Sequence, residues 1–539
     1  MTHGVANMTT PFEDRPAAWA ALGRRVAAPL VVVAAVLAGC SGREMLYRDV
    51  GASRSLAYRQ WHRARRAQAA AEPTATGKLG LQDAIKLALV HNKPLQAAVE
   101  GKEIARGRIV ESYSEALPKA SVVGNYVRQD RVGGFSVAGR SVTIGELDNY
   151  SADLQIRQPI FRGGATMAAI RAARLFAALT DEQVRGQVQQ TIFAVAEAYY
   201  DMLLAARLHE ANEQAVRSAE EQLRDVQVKQ RQGTASKYDV LRAQVDVSNF
   251  RAEMIQQRNR IHMARTRLLK AMGVSQESRV EPADELAYHP VKPVLEEAVR
   301  IASKNRPDLY QAELNVRLQR EAVRIAESRY WPQVDATFNY GWTRPDPHAS
   351  TLDEWDDRWT AGVMVEIPLF DGLRREGRLI QEKAALRERK IRLRDTEERA
   401  LLEIQQALLS LRDAEELVDS QRLNLQRAGE GLRLAEVNYR EGISTTVEVT
   451  DARSALTRAR SLYYQAIYGH TLARLALQLA MGILGPRAPG TGPPGGPLVR
   501  PARIDEFEPG ATKLPAVPAV PSTQPAASRP ARPRGKEDR

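Results

Sequence analysis

The sequence predicts a mainly α chain with a small β part: tandem-duplicated long antiparallel helices forming a helical barrel, and four strands per chain contributed to a shared transmembrane β-barrel. Three observations predict it. The chain contains itself twice, no proline interrupts Pro159 to Pro282 or Pro368 to Pro486, and two-residue alternation precedes each proline-free stretch, in two segments before the second and over Ala152, Leu154 and Ile156 before the first. At 539 residues the chain exceeds one ordinary core, and 6% aromatic content is thin for several compact ones. Long helices rich in Ala, Leu, Arg, Gln and Glu explain that composition.

The duplication fixes the order of elements. Leu81, Ala84, Ala88, Asn92 and Pro94 open the first copy, and Leu295, Ala298, Ala302, Asn305 and Pro307 the second. Pro118 and Tyr126 match Pro332 and Tyr340, 214 residues on. Pro159 then matches Pro368 at a spacing of 209, which persists from Gly233 and Gly442 to Gly273 and Gly482. The five-residue difference falls between the paired strands, where loop tips tolerate length changes. Each copy therefore reads as short helix, helix, strand, loop, strand, very long helix, turn and long helix.

The strands come from alternation. Val334, Ala336, Phe338, Tyr340 and Trp342 interleave with Gln333, Asp335, Thr337 and Asn339, and Trp359 to Ile367 shows the same period. Strands of about 9 to 11 residues suit a tilted membrane crossing, and Tyr340, Trp342 and Trp359 crowd one end as interfacial girdles do. Hairpins are expected at about 119–160 and 333–369. Helices at about 165–232 and 373–441 would each run roughly 100 Å, too long for a globular core, so they must pack side by side. Gly233 and Gly442 mark the reversals, with Ser236 to Asp239 and Thr445 to Glu448 as capping signatures for returning helices at about 236–272 and 445–482.

The ends differ from the body. Of the formal +12 charge, only about +2 lies between Leu79 and Gly485, which disfavours a nucleic-acid surface. Arg24 and Arg25 precede an apolar run ending in Leu37-Ala38-Gly39-Cys40-Ser41, and Cys40 is the sole cysteine. The run is too short to span a bilayer. It resembles a bacterial lipoprotein signal, in which cleavage leaves Cys40 as a lipid-modified N-terminus and Ser41 favours outer-membrane sorting. Met8 offers a second start. The expected boundaries are thus a signal at 1–40, a basic tether at 41–78, repeats at 79–275 and 276–485, and a tail at 486–539. That tail holds 13 of the 28 prolines and is expected to be disordered.

Four membrane-length strands cannot close a barrel, since the smallest single-chain barrels have eight and lipid tolerates no open edge. The chain must oligomerise. The lipoprotein signal, the duplicated plan, the turns Pro159-Ile160-Phe161-Arg162-Gly163 and Pro368-Leu369-Phe370-Asp371-Gly372, and the Gly-containing tips together resemble the outer membrane efflux protein family, the TolC-like outer membrane factors. The resemblance covers Leu79 to Gly485. It implies a homotrimer with twelve outer-membrane strands, a periplasmic helical barrel, and short equatorial helices at about Leu81 to Glu115 and Leu295 to Tyr330. It further implies a passive exit duct for efflux or type I secretion, working with a periplasmic adaptor and an inner-membrane pump. The alternative is a lipid-anchored periplasmic coiled-coil scaffold without a pore.

No nucleotide-binding loop, nucleophile elbow or paired-histidine metal motif occurs, so neither an enzyme nor a cofactor is expected beyond the lipid on Cys40. The candidate site is the helical tip. Asp239 and Glu448 follow Gly233 and Gly442 by six residues, and each suits a cap in the first turn. Asp451 lies a turn further, past any capping role. The resemblance implies that Glu448 and Asp451 point into the closed entrance, where three copies form a ring of six carboxylates that selects cations and gates the duct. Tyr439 and Asp239 match positions that link neighbouring helices, but the expected basic partner falls on Ser444, leaving Arg440 or Arg242 as candidates to replace it.

Overall fold

The computed structural model describes residues 47–58, 60, 74–137, 140–144, 146–346 and 354–485. Cys40, the signal and the proline-rich tail lie outside them. The chain divides at Thr74. Residues 47–58 of the first unit form an exposed helix; everything below concerns the second.

The elements run β1 (Thr76–Leu79), α1 (Leu81–His91), α2 (Lys93–Ser114), β2 (Lys119–Arg128), β3 (Gly133–Val137), β4 (Arg140–Ile144), β5 (Asp148–Arg162), α3 (Ala165–Arg231) and α4 (Lys237–Met272). They continue with β6 (Arg279–Pro282), α5 (Leu295–Asn305), α6 (Pro307–Ser328), β7 (Gln333–Arg344), β8 (Asp356–Glu366), α7 (Arg374–Arg440) and α8 (Thr446–Ala480). Two of these features escape the alternation pattern. β3 and β4 form a second hairpin within the first loop, and β1 pairs with β6 in parallel across 203 residues.

The main sheet has the order β2-β5-β7-β8, antiparallel throughout. Its register aligns Ile156 with Phe338 and Ala361, and Leu154 with Tyr340 and Trp359, on one face. Polar groups take the other. Asp335 receives hydrogen bonds from Arg157 and Arg162, and the Asp153 carboxylate lies over Gly341, where a Cβ would come within 2.1 Å of it. An aliphatic face on an antiparallel sheet needs an apolar covering. None of the described residues covers it: Val122, Phe338, Trp359 and Val363 are exposed. No described helix is long and apolar enough to cross a membrane.

Each strand continues into a helix, so the helices α2, α3, α6 and α7 repeat the strand order side by side. Farther from the sheet the layer becomes α4, α3, α8 and α7. The exchange occurs at the core. Ala84, Ala88, Val195, Tyr199, Met202, Leu268 and Met272 pack in one cluster, and Ala298, Ala302, Ile404, Leu408, Leu411, Leu477 and Met481 in another. Every member of the second set is its counterpart plus 214 or 209, the spacings seen in the sequence. At each junction a returning helix abuts the turn between two short ones. Asn92 Nδ2 donates to the Ala271 carbonyl at 2.8 Å, and Arg306 Nη1 donates to that of Ala480 at 3.0 Å. The sequence match of Asn92 with Asn305 is therefore one residue out. α1 and α5 are both 11 residues long, so the true counterpart of Asn92 is Arg306, and the prolines sit one position apart in the next first turn.

Candidate functional site at the helical tip

The tip is two reversals built alike. α3 ends where Gly233 takes φ 78°, and the Thr234 N–H closes on the Lys229 carbonyl at 2.9 Å. α7 ends where Gly442 takes φ 76°, with Ile443 N–H on the Asn438 carbonyl at 2.9 Å. Glycine is needed because the left-handed C′ position costs any Cβ-bearing residue.

Both capping expectations describe the geometry. Ser236 caps α4 and exchanges bonds with Asp239: the Asp239 N–H donates to Ser236 Oγ at 3.2 Å, and the Ser236 N–H donates to the carboxylate at 2.9 Å. These Ser236 bonds, more than nearby Arg242, hold the Asp239 carboxyl below its usual range. Thr445 caps α8, and Glu448 accepts from Ser444 Oγ at 2.8 Å and from Thr445 Oγ1 at 3.2 Å. Ser444, placed where a base was expected, thus lowers the Glu448 pKa as a hydroxyl donor. Within one chain this opposes the upward shift expected of a carboxylate ring, since that repulsion requires other copies.

Asp451 is exposed one turn along α8, beyond Val449 and Thr450, which are buried. Across from it α4 carries Asp246, whose pKa is raised, first by burial and also by Asp451, against the pull of Arg242, Thr450 and Arg453. Of the two candidate bases, Arg242 acts electrostatically on Asp246 and on Asp239. Among the described residues Arg440 bonds only to the Glu436 carbonyl of its own helix, at 3.3 Å.

Tyr439 is held from a different direction. Lys229 Nζ of α3 lies 3.8 Å from the ring centroid, and Thr446 Oγ1 approaches the phenol oxygen at 3.5 Å. Two turns up α8, Arg453 donates to the Ser218 carbonyl of α3 and to Glu436 of α7, each at 3.2 Å, with 13% of its side chain exposed. Lys229, Asp246, Glu436 and Arg453 were not picked out by sequence reasoning. Only Lys229 left a signal: it lies four residues before Gly233, nearly level with Tyr439 three before Gly442. Among the described residues no three His, Cys, Asp or Glu side chains converge to hold a metal.

Comparison with known proteins gives this geometry a context. The family model described as Outer membrane efflux protein matches residues 84–274 and again 298–483. The probable efflux pump outer membrane protein TtgC of Pseudomonas putida is 24% identical over 400 residues, 74% of this chain and 81% of its own. The alkaline protease secretion protein AprF of Pseudomonas aeruginosa is 23% identical over 415 residues, 75% of this chain and 85% of its own. Among solved structures, the outer membrane protein VceC of Vibrio cholerae superposes with a TM-score of 0.63 at 19% identity, over 75% of this chain and 96% of that one.

Proposed function

The chain belongs to the outer membrane efflux protein family, and on that premise we propose that three copies form one conduit, closed at rest by the helical tips. It is an outer-membrane exit channel with its helices in the periplasm. A periplasmic adaptor and an inner-membrane pump open it and supply the energy; the chain performs no catalytic step and holds no cofactor. Relatives named for an efflux pump and for protease secretion support this division of labour. The observation that carries the reading is the four-stranded sheet: one bare apolar face, two unpaired edges, and a helical wall continuous with it. A scaffold without a pore would leave that face in water.

At the tip, three copies of Glu448 and Asp451 make a carboxylate ring that attracts cations and repels itself. The clamp on Tyr439 and Glu436 by Lys229 and Arg453 keeps each hairpin pair together. In planar bilayers, Glu448→Ala with Asp451→Ala should weaken cation preference and block by multivalent cations. Unchanged conductance, selectivity and block in the double variant would reduce both residues to capping and surface roles.

Cys40 anchors the mature chain through covalent lipid, a reading supported by its place at the end of the apolar run. Intact mass of the membrane-extracted protein should show a chain starting at Cys40 with acyl chains attached. A free thiol at Cys40, or another N-terminus, refutes the anchor.

A further inference from the structure

Where α3 leaves the sheet and α6 enters it, five arginines surround one buried carboxylate. Arg171, Arg174, Arg317, Arg320 and Arg324 line an open cleft of about 420 Å³ with Glu321 at its base. Glu321 is spoken for: Arg171 Nε reaches one oxygen at 3.0 Å and Arg324 the other. Arg317 pairs with Glu313 along its own helix. Among the described residues Arg174 pairs with no carboxylate, its contacts being the hydroxyl and ring of Tyr113, and Arg320 forms no ion pair. Two guanidinium groups therefore face the cleft without a carboxylate to neutralise them. Folding has gathered like charges there, at a cost that an anionic guest would offset.

Depth narrows the class of guest. Arg171 lies nine residues beyond the end of β5, and Arg324 nine before the start of β7. Arg171 lies six residues along α3 from Ala165, so the rim stands roughly 9 Å below the strand ends, and Arg174 and Arg320 start about 3–5 Å deeper. The polar layer on each side of the hydrocarbon is roughly 5–7 Å deep, so the long arginine side chains reach it. Planar guanidinium pairs suit phosphate oxygens, and Leu175 adds an apolar wall.

We infer that this cleft is a phosphate-binding site occupied by the headgroup of an anionic phospholipid from the inner leaflet. The sheet must be the membrane-crossing part for the depth argument to hold; the cleft itself does not depend on the tip gate. The test uses the full chain in lipid nanodiscs of phosphatidylcholine with and without phosphatidylglycerol, read by native mass spectrometry. The protein should retain phosphatidylglycerol, and Arg174→Gln with Arg320→Gln should lower that retention about tenfold. Both side chains are exposed, and unchanged single-channel conductance will show that the assembly is intact. Arg174→Lys with Arg320→Lys should retain part of the lipid, since charge is kept and the fork is lost. Equal retention by the wild-type and glutamine proteins overturns the site. Thermal protection by inorganic phosphate without lipid retention overturns the lipid assignment in favour of a free anion.

Discussion

Lys229 and Arg453 do at the tip what the sequence led one to expect of a single basic residue. Serine at position 444 cannot pair with a carboxylate on a neighbouring helix, and its hydroxyl instead tightens the α8 cap through Glu448. The linking role moves to a cation over the Tyr439 ring and to an arginine reaching two helices from a third. These contacts differ in strength. A cation over a half-buried ring contributes about 1 kcal/mol, whereas hydrogen bonds involving a largely buried guanidinium contribute about 1.5–3 kcal/mol. In bilayer recordings Arg453→Ala should therefore raise open probability more than Lys229→Ala, and Arg440→Ala should leave it unchanged. An Arg440 variant that opens as readily as the Arg453 variant would return the lock to the α7 surface. Capping was legible in this region because it is a four-residue pattern. The clamp was not, because Lys229 meets Tyr439, and Arg453 meets Ser218 and Glu436, only after three helices have packed.

The long helices were legible as elements because nothing in their sequences stops them. Their ends were too, through Gly233, Gly273, Gly442 and Gly482, all at positive φ. What the sequence could not distinguish is why each glycine is there. At Gly233 and Gly442 nothing lies within 4 Å of an added Cβ, so alanine would meet only the left-handed backbone cost, about 1–2 kcal/mol. At Gly273 an added Cβ would fall 2.2 Å from the His91 carbonyl, and at Gly482 2.7 Å from the Arg306 nitrogen. There the returning helix is butted against the next turn, and overpacking adds about 1–3 kcal/mol. Thermal unfolding in detergent should rank Gly273→Ala and Gly482→Ala well below Gly233→Ala and Gly442→Ala. Equal losses at all four would mean that the junctions yield freely. β1 and β6 lay beyond sequence reasoning for a related cause: four-residue strands pairing across 203 residues leave no local period. Asp284 belongs to the same long-range join. It accepts the Leu81 N–H at 2.9 Å and the Tyr199 hydroxyl at 2.7 Å, and so caps α1 where Gly80 has no side chain to do so.

At the scale of the whole molecule, the unfinished surfaces sit at opposite edges of one layer. In the sheet, β2 is exposed along all ten residues and β8 along nearly all its length. The helical layer continues the pattern. α7 exposes Ile380, Ile391, Leu402, Leu409, Leu423 and Leu434, whose spacings keep them within about 60° on one side of a 3.6-residue helix over roughly 80 Å. The opposite edge helix, α4, exposes Leu241, Val245, Ile255 and Met263 at similar pitch. An apolar stripe of that length in water is a standing cost, and a second chain laid α7 to α4 would bury it while pairing β8 with β2. β8 runs opposite to β2, so the new ladder is antiparallel like the rest. Because the contact is heterologous, it must close into a ring; two chains would give the minimum eight strands and three give twelve. Two-chain closure would bend helices of 67 residues around a tighter axis, and the family plan favours three. With Cys40 replaced, one cysteine placed in β2 and one in β8 should yield linked trimers on oxidation, while cysteines in β5 and β7 should link only within a chain. Mass measurement in detergent should report three chains. A folded monomer, or oxidation products that stop at dimers for every β2 and β8 pair tried, would show that the edges are satisfied in some other way.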